Sequence, residues 1–91
     1  KGEEMKGVGD TPNQHDILTG SDSTGRLVPG NTALTTCNNW TSNSTGNAMV
    51  GHHDRLGGPS ASWNSVHSTR SCSQPDLVAT GGAGLFYCFA Q

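Results

Sequence analysis

The sequence predicts a small, loop-rich domain of short strands with little helix, and three observations carry that expectation. At 91 residues with 31% hydrophobic and 5% aromatic side chains, the core must be small, because a chain of this size hides little more than about 60% of the surface its unfolded form exposes. No segment sustains a 3.6-residue apolar period, whereas short apolar and β-branched runs recur between Gly, Pro, Asn and Ser clusters. The run Leu85-Phe86-Tyr87-Cys88-Phe89-Ala90 is apolar on both faces and reads as a central, buried strand.

Charge narrows the function classes. Only 13% of residues are charged and the formal net charge is −2, so the low hydrophobicity is not that of a charge-swollen disordered chain. The five cations, Lys1, Lys6, Arg26, Arg55 and Arg70, are dispersed and make no footprint for a phosphate backbone, which argues against nucleic acid. No apolar run approaches the roughly 20 residues that span a bilayer. The chain starts at Lys1 without a signal-peptide pattern, which reads as a processed or truncated product.

Taken in order, residues 1–14 combine Gly, Pro and mixed charge without apolar periodicity and read as an arm or loop. Ile17 and Leu18 mark a short strand that runs into a turn at Ser21-Asp22-Ser23-Thr24-Gly25. After the turn signal Pro29-Gly30, the residues Leu34-Thr35-Thr36-Cys37 and Trp40-Thr41 favour a second strand. Ala48-Met49-Val50-Gly51 suggests a strand of a second small sheet, and residues 52–62 form a long excursion around Gly57-Gly58-Pro59. Residues 63–67 alternate weakly as a further strand, and residues 68–84 read as loop. Abundant Ser, Thr and Asn can hold such loops in shape through side-chain to backbone hydrogen bonds, provided their ends are pinned.

Cys37, Cys72 and Cys88 contain no C-x-x-C pair and cannot alone close a four-thiolate zinc site, so disulfides are the better reading. An oxidising location follows: secreted, periplasmic or cell surface. Three is an odd number, so one thiol is free, pairs with another chain, or pairs with a segment outside this sequence.

The order Cys37, Trp63-Asn64, Cys72 and Leu85-Phe86-Tyr87-Cys88, together with Thr19 to Gly25 and the Cys-x-x-Trp at Cys37 to Trp40, resembles the C-terminal half of the C-type-lectin-like fold. The endostatin-like and bacterial extracellular lectin-like branch is the nearer likeness, and it covers residues 17–91. The resemblance implies an α+β domain of which this chain supplies mostly short antiparallel strands and long ordered loops. It implies a Cys37–Cys72 disulfide, which in the chain-entropy account stabilises by roughly 3 to 4.7 kcal/mol, and a partner for Cys88 outside this sequence. The expected organisation is therefore one unit, residues 1–91, forming the C-terminal half of a lectin-like domain that a second chain or a missing N-terminal half completes.

Calcium-dependent sugar binding in that fold uses the Asn and Asp of a Trp-Asn-Asp strand, because calcium takes six to eight hard oxygen ligands. Here Ser65 stands where the Asp is needed, and Gln74-Pro75-Asp76 follows Cys72 instead of preceding the Trp-Asn pair. The triplet reads as a turn, and calcium is disfavoured. His52, His53, Asp54 and His67 are candidate ligands for zinc, which imidazole and carboxylate suit. Adjacent His52 and His53 face opposite ways on an extended strand, so both reach one ion only across a bend; the alternative is a buried, hydrogen-bonded imidazole that fixes the loop. A Ser-His-Asp hydrolase has no Gly-x-Ser-x-Gly elbow to support it. Trp40 and Trp63 either stack on a sugar or pack in the core, and proximity to the cysteines favours the core. Asn39-Trp40-Thr41 and Asn43-Ser44-Thr45 match the glycosylation sequon.

The function expected from these residues is a non-catalytic, extracellular recognition module for carbohydrate binding or cell adhesion, taking a glycan or a surface protein through the loops between residues 41 and 74. The ligand-binding candidates are His52, His53, Asp54, Arg55, Asn64 and Ser65. The alternatives are a structural or assembly subunit of a cell-surface complex and a zinc-dependent enzyme.

Overall fold

The computed structural model of the chain describes residues 6–54 and 61–89. A four-stranded mixed sheet, ordered β3-β2-β1-β4, organises them. β1 (Asp16–Leu18) pairs antiparallel with β2 (Met49–His52), which pairs antiparallel with β3 (His67–Ser68). β4 (Gly82–Phe86) lies parallel to β1 on the other side, with a shift of register between Asp16 and Ile17. The architecture is α+β with few helices. The run after Ala48 joins the same sheet as β1, not a second one, and β4 departs from the expected antiparallel pairing.

Three short helical elements lie between the strands: α1 (Thr32–Thr35), α2 (Cys37–Trp40) and α3 (Gln74–Thr80). The first two replace the strand expected near Leu34 to Thr41. Asn31 caps α1 by accepting from the Ala33 N–H, which starts a turn where β propensity alone favoured extension. In α2 every residue has a left-handed backbone, with φ of 50° at Cys37, 56° at Asn38, 55° at Asn39 and 64° at Trp40. Such a conformation costs about 1–2 kcal/mol per L-residue and is visited most readily by Asn, so the Asn38-Asn39 pair is where the sequence permits it.

α3 occupies part of the stretch read as loop. Ser73 accepts from the Asp76 N–H, Pro75 sits in the first turn with Asp76 beside the helix N-terminus, and Gly81 ends the helix at φ 122°. These are ordinary start and stop residues. Seven residues with only Leu77 buried are too few to show a helical period, which is why the element escapes a pattern search. Gln74-Pro75-Asp76 is thus a helix start.

The core is a single cluster of Leu18, Cys37, Ala48, Val50, Cys72 and Leu77. Cys37 and Cys72 are disulfide-bonded across 35 residues, so the cross-link lies inside the core. Trp40 and Trp63 do not join it; they are 41% and 55% exposed. β4 is an edge strand among the described residues, with Phe86 and Phe89 exposed, in place of the central buried strand expected there. Its continuous apolar run forms a surface, since no strand pairs with its outer edge among the described residues. Cys88 is a free, exposed thiol.

Side-chain to backbone bonds hold the loops, as the Ser, Thr and Asn content implied. The Asn47 amide donates to the Thr69 and Arg70 carbonyls, buried Thr69 accepts from the Ala48 N–H, and the Thr80 hydroxyl accepts from the Arg70 N–H. The predicted turn after β1 closes on Asp22, whose Oδ1 accepts from the Thr24 N–H and hydroxyl and from the Arg26 N–H. Replacing both core cysteines (Cys37→Ala with Cys72→Ala) is expected to lower stability by roughly 4 kcal/mol, the loop-closure value for this separation. Urea unfolding with and without reductant checks it: reductant should shift the wild type toward the double variant and leave the variant unmoved.

Candidate functional site

The register of β1 against β2 places Asp16 opposite His52. His15 immediately precedes β1, and His67 enters from β3, where it pairs with Val50, two residues from His52 on the same strand. Residues two apart on a strand share a face, so three adjacent strands deliver three of the chain's four histidines to one carboxylate. Asp16 and His52 are buried at 3% and 5% exposure and His15 at 9%. The Asp16 Oδ1 lies 2.8 Å from His52 Nε2, 3.3 Å from His15 Nε2 and 3.4 Å from His67 Nε2. The His52 and His67 Nε2 atoms are 3.2 Å apart, and the His15 and His52 rings stack with centroids 3.8 Å apart.

The outward nitrogens are held from behind. His15 Nδ1 lies 3.2 Å from Asp54 Oδ1, and His67 Nδ1 lies 3.1 Å from the Ser68 carbonyl. Asp54 also accepts from the Val8 N–H through Oδ2. Burial pushes the Asp54 carboxyl up, but the Val8 N–H, the charges of His15 and His53 and the His15 hydrogen bond outweigh it and hold it below the usual carboxylate value.

Of the sequence candidates, His52 and His67 enter this cluster. Asp54 stands behind His15 and is no member of the inner set. His53, in the bend just past β2, points elsewhere, its Nε2 3.0 Å from the Lys6 carbonyl. Arg55 lies outside the described residues. Asn64 is buried at 4% exposure with its Oδ1 accepting from the Ser62 hydroxyl, and Ser65 is held by its N–H to the same Ser62 oxygen; Asn64 and His52 are therefore not the exposed surface groups expected. Sequence reasoning passed over His15 and Asp16 as ligands. The pair is conspicuous at the start of a strand, but only the pairing register brings it to His52.

A second feature opens at the far end of β1. A cleft of about 260 Å³ is lined by Leu18, Thr19, Ser21, Gly25, Trp63, Asn64, Phe86, Tyr87 and Phe89. Trp63, Tyr87 and Phe89 form an aromatic cluster, Trp63 meeting Tyr87 edge-on at 5.6 Å and Phe89 at 6.4 Å. The Tyr87 hydroxyl donates to the Trp63 carbonyl; burial and then the Asp54 charge raise the phenol above its ordinary value. The Thr19 hydroxyl donates to the Asn64 carbonyl, which ties β1 to the Trp63 loop.

Gly51 of β2 sets the position of that loop. A Cβ there would overlap the Trp63 carbonyl and the Asn64 N–H group, so only glycine lets the backbone come this close. Searches against protein-family models, curated proteins and solved structures each found no match to the chain.

Two outcomes follow from this geometry. Gly51→Ala should destabilise by about 1–3 kcal/mol, the usual cost of overpacking, and red-shift or broaden Trp fluorescence as the Trp63 loop moves; unfolding midpoints and emission spectra measure both. The Thr24 hydroxyl and the Arg26 N–H hold the Asp22 carboxyl below its ordinary value. Because its folded value is depressed, its contribution is present above the unfolded value and is lost as pH falls below about 4 through the folded one. Asp22→Asn should lower the urea midpoint at neutral pH and flatten its fall between about pH 5 and 2.

Proposed function

We propose that the chain is a non-catalytic recognition module working outside the reducing cytoplasm, and that it binds a glycan ring in the cleft beside Trp63. The observation that carries this reading is the exposed aromatic cluster beside hydroxyl groups: Trp63 is 55% and Phe89 75% exposed, while Thr19 and Ser21 line the same cleft. A sugar ring offers an apolar C–H face to an aromatic plane and a rim of hydroxyls to polar neighbours, and a concave apolar site with a few convergent polar groups is the usual form of a small-ligand site. Among the described residues the cleft lining includes no carboxylate, so calcium bridging, which needs several hard oxygen ligands, has no support from them. The Cys37–Cys72 bond favours an oxidising compartment, and no described helix is long and apolar enough to cross a membrane.

A glycan array in calcium-free buffer, followed by titration of Trp fluorescence with any retained glycan, tests the reading. Trp63→Ala should weaken binding about tenfold, in line with the contribution of one aromatic stack. A wild-type chain that retains no glycan, or a Trp63→Ala variant that binds equally well, would sink it. One observation favours an assembly subunit as a second reading: Cys88 is exposed on the segment that carries exposed Phe86 and Phe89. A disulfide-linked species on a non-reducing gel that Cys88→Ser abolishes, without any glycan binding, would turn the conclusion to that reading.

A further inference from the structure

We propose that His15, Asp16, His52 and His67 form a binding site for a divalent first-row transition ion, and that the ion their donors suit is zinc. The site is separate from the Trp63 cleft and does not depend on what that cleft binds.

The distances carry the first part of the argument. Zinc binds imidazole nitrogen at 2.0–2.1 Å and carboxylate oxygen at 2.0–2.2 Å in a tetrahedron, whose ligand-to-ligand edges are then about 3.3 Å. The observed separations around Asp16 Oδ1 are 2.8, 3.3 and 3.4 Å, and the His52–His67 edge is 3.2 Å. The inner donor atoms of His15, Asp16 and His52 all lie within 4.8 Å of one another. His67 Nε2 adjoins two members of that group, Asp16 and His52, and stands at its outer side.

Orientation supplies the second part. His15 turns Nδ1 to Asp54 and His67 turns Nδ1 to the Ser68 carbonyl. A neutral imidazole that donates from Nδ1 presents a bare lone pair at Nε2, and it is Nε2 that faces Asp16 in both residues. A carboxylate or carbonyl behind a ligating imidazole is the usual outer shell of a metal site. Among the described residues neither buried Asp16 oxygen accepts an aligned hydrogen bond, and a buried anion is costly unless it is paired and hydrogen-bonded. A cation between the lone pairs resolves both conflicts. The alternative is that the imidazoles and carboxylates share protons without an ion, and the experiment distinguishes the two.

The donor set selects the ion and the role. Three imidazoles and one carboxylate suit zinc and disfavour calcium or magnesium. Such an ion fastens the start of β1 to β2, with His67 of β3 at its outer side. The His67 side chain, 38% exposed, gives it a route in from solvent.

The test uses the whole chain, stripped with chelator, dialysed and titrated with zinc, then with cobalt(II) as a spectroscopic substitute. Stoichiometric zinc by elemental analysis, the intense visible bands of four-coordinate cobalt, and a rise in Tm of roughly 10 °C or more at a hundredfold excess over Kd are expected. His67→Gln should weaken zinc binding at least tenfold and Asp54→Asn by about 10- to 100-fold, whereas His53→Gln should leave it unchanged. Melting curves that superimpose with and without zinc, together with no four-coordinate cobalt spectrum, would show that the four groups merely share protons and overturn the proposal. Equal zinc affinity of His67→Gln and His53→Gln would overturn it as well. Should His67→Gln not fold, the wild-type cobalt spectrum and Tm shift decide.

Discussion

Asp16 is the residue the structure has to accommodate. It sits at the first position of β1, one of the two internal strands of the sheet, and taking a carboxylate out of water costs several kcal/mol even after relaxation. The three imidazoles at 2.8 to 3.4 Å are what the fold sets against that cost, and each comes from a different place in the chain. His15 adjoins Asp16, His52 is fixed by the Asp16 pairing, and His67 is fixed by the next strand out. A slip of one residue between β1 and β2 would turn His52 to the opposite face and take its imidazole away from the carboxylate. The polar cluster therefore specifies the sheet register, while the adjacent residues Ile17 and Leu18 supply burial.

The rest of the domain is fastened by a different device. Two of the six core residues are cysteines joined to each other, so the hydrophobic cluster and the cross-link cannot be separated energetically. The disulfide also anchors the left-handed turn that begins at Cys37. Backbone bonds hold the turn in place: the Cys37 N–H donates to the Asn47 carbonyl, and the Thr41 and Ser42 N–H groups donate back to the Cys37 carbonyl. A backbone this unfavourable persists only where its surroundings over-determine it, and a covalent bond at its first residue does so. The turn in turn positions Trp40 edge-on against Phe86 at 5.2 Å, which carries the constraint to β4.

The sequence was informative where a local signal and the tertiary outcome agree. The strand at Ile17 and Leu18, the Asp22 turn and the importance of Cys37 and Cys72 could be read from short stretches, because turn residues and β-branched runs act locally. Cys37 paired with Cys72 as the lectin-like resemblance implied. Position relative to other strands was not legible: whether the run after Gly84 lies at the centre or edge of a sheet depends on neighbours, and apolarity on both faces does not decide it. The metal-ligating candidates divided in the same way. His52 and His53 facing apart was expected of adjacent residues, but Asp16 joining His52 followed only from register. Ser73, Pro75 and Gly81 are capping signals that stand plainly in the sequence, and α3 was missed because its single buried residue, Leu77, gives no period to detect.

The two ends of β1 lie in different surroundings. At its start, His15 and Asp16 face inward to partners that are themselves buried or held from behind; at its end, Leu18 and Thr19 border an open cleft. Among the described residues, the Trp63 cleft is lined by neither histidine nor carboxylate. Its serine, Ser21, donates to the Asp22 carbonyl, which commits the hydroxyl proton to the backbone. The start of β1 thus turns its polar side chains toward one another, while its end borders an open cleft beside exposed Trp63.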